Sequence, residues 1–535
     1  MGESGGERAD IKTMTDNVFT ATRAKGHPTT AYWNCRLTAL EVMLMTFGFG
    51  GALLMHLEPV LNSGLAKPFL VLLGVVCMLR PVSGFFFMGA SAILPTASAE
   101  LYARVVAMNE AGEDTGGIID AGTQYAFISW LVAFVIVYRK FTVKDVLPLA
   151  AVVPWIAWMT IANGVGFLGN PDLFKSMAFS MMAAQMAGAS EGRYLKCLLG
   201  LGFGLLVVSV GFWANAAGLP VQLMNWGGTR GGFERTGSVV VDSVMLWPPI
   251  LTGIAGLIGV AAFVQTRGNR VDARWTSAVA FGGFFVSLVP LISSMTNSAI
   301  LGLGVIMAAY AASVFGMGGG RKVKSGSGAG PVLLLVGLGA VAGVVVLTDA
   351  FDSRAKLEGL WETYAEQSEE LGAAASRNEV WECSLETIGR FPLLGHVFSG
   401  EQERIPVQYL DKGYYLSHNV FLDFGRKGGI PAMLLFAYFF LHPVVQSFKT
   451  GRVYHYLPFL LAMLAQLIFF TSLSFWTYKP FWALWMLFMV AVGETTGRIA
   501  VMKRRRLSRK WQALGFEMPP EGGRPVLTGP GAEAV

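Results

Sequence analysis

HYLPFLLAMLAQLIFFTSLS, residues 455–474, contains no Asp, Glu, Lys or Arg. Its apolar residues run on continuously instead of alternating, and its length is the roughly 20 residues a helix needs to cross the hydrocarbon of a bilayer. Comparable runs recur at about 38–56, 66–80, 82–98, 121–138, 145–163, 174–190, 197–217, 240–264, 275–292, 299–316, 331–349, 427–447 and 479–497. Lipid cannot satisfy backbone N–H and C=O groups, so only helices and closed barrels span it; continuous runs select helices. The expectation is an all-α polytopic membrane protein with about 12–14 transmembrane helices. Arg80-Pro81 cuts the second and third runs into short pieces.

Composition agrees. The 535 residues are 53% hydrophobic and 14% charged, against about 25% charged in a soluble domain. The net charge of +6 reflects basic cytoplasmic loops. No basic stripe alternates with aromatics, which excludes nucleic acid as a partner. Residues 1–30 are polar, and the first apolar run is too long and too late for the core of a cleavable signal peptide.

Charge also orders the loops. Arg23, Lys25 and Arg36 precede the first run; Arg139, Lys140 and Lys144 follow the fourth; Arg193 and Lys196 the sixth; Arg267, Arg270 and Arg274 the eighth; Arg321, Lys322 and Lys324 the tenth. Lys449 and Arg452 follow the twelfth, and Lys503 to Lys510 the last. All share the side of the N-terminus, which the positive-inside rule makes cytoplasmic. The chain divides into a cytoplasmic segment 1–36, a helix bundle 37–349, a large external loop 350–426, C-terminal spans 427–498, and a cytoplasmic tail 499–535, basic and then without fixed structure.

Within that external loop, residues 350–417 carry 12 acidic and 6 basic residues. A loop of this length needs structure of its own. Residues 353–371 read as an amphipathic helix with Leu357, Leu360, Trp361 and Tyr364 on one face. Residues 377–390 read as a second helix, stopped by Pro392 and Gly395. The external polar set is Arg230, Arg235, Asn297, Arg377, Arg404, Lys412, Tyr414, Tyr415 and His418. Arginine matches phosphate oxygens bidentately and keeps its charge; histidine is the commonest general base near neutral pH. Such a set at a membrane surface suits a reaction in which a lipid pyrophosphate leaves while a hydroxyl is deprotonated and attacks. No Cys/His spacing of the metal-binding type occurs, so no metal or other cofactor is expected.

Arg377-x-x-x-Trp381, then Pro392-Leu393-Leu394-Gly395, then Ser417-His418-Asn419 before Gly428-Gly429 resembles the signature loop of the bacterial O-antigen ligase and O-antigen (exopolysaccharide) polymerase family. Arg235-x-Gly237-Ser238 followed by Asp242 resembles, more weakly, that family's arginine-glycine segment entering a span. The resemblance implies a C-type glycosyltransferase fold in the bacterial cytoplasmic (inner) membrane, both termini cytoplasmic and the active site periplasmic. The donor would be an undecaprenyl-pyrophosphate-linked glycan and the acceptor another lipid-linked glycan or lipid A core. A flippase and a chain-length regulator would be partners alongside membrane lipids. His418 would act as base on the acceptor hydroxyl, with Arg377 and Arg235 ordering the pyrophosphate and inversion at the anomeric carbon. Arg230, Asn297, Arg404, Tyr414, Tyr415 and Asn419 would contact substrate. Asn297 stands where the family has a second arginine, a departure that removes one positive charge. Polymerase is the preferred reading, ligase the close alternative and a flippase or transporter the rival from another class.

Structural readings compete at single positions. His418 could cap the helix that begins near Val420, Arg377 could be a helix-end surface residue, and Arg235 could snorkel to the interface. Asp423-Phe424-Gly425 reads as an accidental kinase tripeptide, since no companion motif is present.

Overall fold

A computed structural model describes residues 37–55, 65–91, 121–136, 147–190, 192–217, 225–230, 233–237, 247–267, 270–293, 297–317, 373–396, 417–450, 453–473, 476–494, 496, 516–517 and 526–527. The expected span at 331–349 and the expected loop helix at 353–371 lie outside these residues. The described helices are α1 (Ala39–Met55), α2 (Ala66–Met78), α3 (Pro81–Ser91), α4 (Ala121–Ile136), α5 (Val153–Asn163), α6 (Pro171–Ala189), α7 (Tyr194–Leu205) and α8 (Val207–Ala216). They continue with α9 (Trp247–Arg267), α10 (Arg270–Ser293), α11 (Asn297–Met317), α12 (Ala373–Arg390), α13 (Val420–Lys449) and α14 (Leu457–Ser472). A last helix, α15, covers 479–494. Two antiparallel ribbons depart from the all-helical expectation: β1 (Asn225–Arg230) with β2 (Phe233–Gly237), and β3 (Phe516–Glu517) with β4 (Val526–Leu527) in the tail.

Among the described residues three segments are long and apolar enough to cross a membrane: Trp247–Val264, Val420–Lys449 and Val453–Ser472. Shorter apolar helices occupy most of the other expected spans. Local chemistry explains the shortening. Pro81 opens α3, a position where its missing N–H costs nothing, so the run ends at Arg80. The expected span 197–217 is two helices: α7 closes at Leu206, whose N–H is shared between the Gly202 and Phe203 carbonyls.

The core is built around α9, whose Trp247–Val264 stretch is buried along its whole length. It packs against α14, α10, α7 and α11. The closest packing joins α3 to α7. A Cβ at Gly200 would strike the Val82 carbonyl, and one at Gly204 the Phe86 carbonyl. Small residues that let backbones touch are how helices associate in lipid, where no hydrophobic gain separates helix from solvent.

The contacts also pair helix ends that charge alternation puts on one side. Glu41, in a capping box with Thr38, makes a buried ion pair with Lys196 at 3.2 Å. Tyr194 donates to Glu494. These join the starts of α1 and α7 to the end of α15, all assigned to the cytoplasmic side. Trp158, midway along α5, and Asn163, at its far end, bond the backbone of residues 427–428.

Candidate functional site

The turn Ser417-His418-Asn419 enters α13 at its first residue. Asn419, not His418, is the helix cap: its side-chain oxygen accepts from Phe421 N at 3.0 Å and Leu422 N at 3.3 Å. Orphan N–H groups at a helix start favour this residue type. His418 sits at φ 52°, the one described non-glycine residue with positive φ. Left-handed backbone is uncommon outside glycine, with histidine among the more tolerant exceptions, and it costs about 1–3 kcal/mol where the surroundings enforce it.

The surroundings are specific. Ser417 is fully buried, and each of its polar groups is engaged. Its N–H donates to Asp423 Oδ1 at 2.8 Å, and its hydroxyl lies 2.7 Å from the same oxygen and 2.9 Å from the Asn419 carbonyl. Its own carbonyl accepts from Trp381 Nε1 at 2.9 Å. Trp381 lies on α12, one helical turn after Arg377 in the sequence. α12 packs on α13, and its Val380, Ser384, Thr387 and Ile388 are buried, positions spaced for one helical face. A Cβ at Gly425 would lie 2.6 Å from Ile388 Cδ1, so the two helices meet closely. The structure thus brings the turn bearing His418 to the helix bearing Arg377.

Pro392-Leu393-Leu394-Gly395 docks on a break in α13. Gly429 has φ 73° and ψ −177° inside the helix, a conformation open to glycine at no steric cost. A Cβ there would lie 2.6 Å from the Pro392 carbonyl oxygen, and one on Gly395 (φ 74°) 2.5 Å from Gly428 N. Ile430 N donates to Pro392 O at 2.8 Å. Pro431 has no N–H to offer the Lys427 carbonyl, and side chains bond the carbonyls at the break. His396 Nδ1 meets Arg426 O at 2.8 Å, Asn163 Nδ2 donates to Lys427 O at 3.2 Å, and Trp158 Nε1 to Gly428 O at 2.8 Å. Beside this elbow an open, almost wholly apolar groove of about 530 Å³ lies between Trp158, the Pro392-Leu393 turn and the Ile430–Leu435 stretch. Beneath the turn, Phe424 meets Trp155 edge-on at 4.9 Å and Phe436 at 4.6 Å.

The expected site residues fare unequally. His418 and Asn419 are half-buried at the turn. Arg377 lies in α12, Arg230 and Arg235 in the β1–β2 ribbon, and Asn297 opens α11; for these the backbone alone is described. Arg230 pairs with Phe233 across the ribbon, and β2 lies against α10. Arg404, Tyr414 and Tyr415 lie outside the described residues. Among the described residues no three His, Cys, Asp or Glu side chains gather as a metal site.

Sequence reasoning passed over Asp423, Trp158 and Asn163. Asp423 sits inside the apolar helix α13, where an ionisable residue is a functional signal, but the span expected from 427 leaves it in the loop before. Nothing local marks the other two.

Residues 282–437 match the O-antigen ligase family. The matched segment begins inside α10 and ends inside α13, so it holds Asn297, Arg377, the elbow and the His418 turn. The resemblance read from the loop motifs is borne out. Arg230 and Arg235 lie outside the O-antigen ligase segment. No curated protein matches the chain.

Proposed function

We propose that this chain is a membrane glycosyltransferase of the C-type fold that polymerises undecaprenyl-pyrophosphate-linked oligosaccharides on the periplasmic face of the inner membrane. The O-antigen ligase match over 282–437 supports the substrate class, since relatives act on lipid-linked glycans. The observation that carries the reading to His418 is the strained, pinned turn: φ 52° between Ser417 and Asn419. Strain held at one titratable residue marks a functional position.

In the proposed reaction the acceptor oxygen attacks the anomeric carbon of the donor. The bond from that carbon to the pyrophosphate oxygen breaks, and the configuration inverts. The acceptor hydroxyl proton passes to the His418 imidazole. Charge accumulates on the leaving pyrophosphate, where Arg377 and Arg235 would bind it, with Arg230 and Arg404 supplying the charge that Asn297 lacks. Tyr414, Tyr415 and Asn419 would line the glycan path.

The test is polymer output in a deletion strain carrying His418→Ala or Arg377→Ala, with membrane levels checked by blotting. Loss of product at normal protein level is expected from both. Full product from both sinks the transferase reading and revives a flippase or transporter. The description of the matched family, O-antigen ligase, favours a second reading, transfer of finished polymer to lipid A core. In that case deletion leaves free lipid-linked polymer accumulating; under the polymerase reading long polymer disappears.

A further inference from the structure

Asp423 is 5% exposed. One carboxylate oxygen accepts both bonds from Ser417, and the other is buried with no hydrogen-bond partner. That is an expensive group to keep if its only task were to begin a helix. Asn419 already caps α13, and an exposed acid would serve the helix dipole equally well. The side chain instead reaches back past the cap to the residue before His418.

We infer that Asp423 is a positioning residue for His418; this rests on the reading that His418 takes the acceptor proton. His418 is held between two anchored neighbours. Asn419 is fixed by the backbone N–H groups of Phe421 and Leu422. Ser417 is fixed through its carbonyl by Trp381, and through its N–H and hydroxyl by Asp423. Loss of either anchor would give the left-handed backbone at His418 room to relax. Asp423 supplies two of the bonds on the Ser417 side, so it bears on that freedom without being a base itself, since the side chain is enclosed and out of a substrate's reach.

The chemistry of the carboxylate separates this role from others. In Asp423→Asn the amide oxygen still accepts from Ser417, and the NH₂ replaces the oxygen that has no partner. In Asp423→Ala both bonds to Ser417 go. A residue that sets the imidazole's position should alter turnover more than donor binding, because small misplacements of a reacting group weigh on the chemical step.

The experiment uses purified full-length protein with lipid-linked glycan donor, measuring kcat, KM for donor and thermal unfolding. Asp423→Ala is expected to lose about ten- to a hundredfold in kcat, with KM for donor within about twofold. Asp423→Asn is expected to keep kcat within about fivefold of the parent. An unchanged kcat in Asp423→Ala overturns the inference, and so does an Asp423→Asn as slow as the alanine variant, which would mean that the charge itself acts. If Asp423→Ala fails to reach the membrane, Asp423→Asn and Ser417→Ala carry the test: the first must retain turnover, and the second must lower kcat without raising KM. His418→Ala runs in parallel. Activity in that variant defeats the transferase reading, whereas an inactive His418→Ala beside a fully active Asp423→Ala defeats only the positioning role.

Discussion

The indole N–H of Trp381 donates to the carbonyl of Ser417 at 2.9 Å, across 36 residues of sequence. This bond ties the helix that carries Arg377 to the turn that carries His418, the two groups proposed to act at opposite ends of the reacting bond. Trp381→Phe keeps the ring and removes the donor. A neutral hydrogen bond contributes about 0.5–1.5 kcal/mol, so turnover should fall several-fold while the protein level holds. A polymer ladder from the deletion strain, compared at equal expression, reads the loss; an unchanged ladder means the tie is dispensable.

Gly395, at positive φ, faces the backbone of residues 426–428, and Gly429, also at positive φ, faces that of Pro392 and Leu393. Alanine at either position meets both backbone strain and a collision with carbonyl or amide atoms. The expected result is a melting temperature lowered by several degrees, or loss from the membrane, consistent with a cost above about 1 kcal/mol. Gly389 is the control, since a Cβ there meets nothing within 4 Å. Gly389→Ala on the surface of α12 should hold or raise stability by up to about 1 kcal/mol.

Glu41 and Lys196 are both buried. Glu41→Gln alone, or Lys196→Met alone, strands a buried charge and should destabilise by about 3–5 kcal/mol. The double variant should recover much of that. Detergent-solubilised melting curves of the four proteins give the coupling directly, and strictly additive losses would show that the pair does not interact.

Tyr478 has a buried hydroxyl with no hydrogen-bond partner, and burial pushes its phenol well above the usual range. Tyr478→Phe should therefore cost little or stabilise the fold near neutral pH. The raised folded pKa also gives a sign. Above about pH 10 the unfolded phenol ionises first, so the parent loses stability with rising pH. The phenylalanine variant lacks that contribution, and the gap between the two melting curves should widen in its favour. A gap that stays constant with pH contradicts this.

Much of the helical plan was legible. Arg80-Pro81 stops a helix as read, and Pro392 and Gly395 end α12 after Arg390, because proline and glycine act locally. At α13 the two readings differed: the apolar run suggested a span from 427, while the helix expected near Val420 does begin there, and its cap is Asn419 and not His418. Asp423 looked accidental because its partner is six residues upstream and its meaning depends on a turn. Trp158 and Asn163 were invisible for a different reason. Their partners lie 270 and 264 residues away, and only the broken helix, which frees those carbonyls, creates the demand they meet.

That broken helix bears on any attempt to exchange parts between relatives. A stretch from Ala373 to Lys449 looks like a portable cassette, since it carries the turn, the elbow and the loop helix. Its exposed carbonyls, however, are sealed by an indole and an amide from α5. A graft that takes the cassette and leaves a host residue in place of Trp158 or Asn163 would import an unsealed joint into lipid. The cassette should therefore fold in a relative only when the fifth helix travels with it.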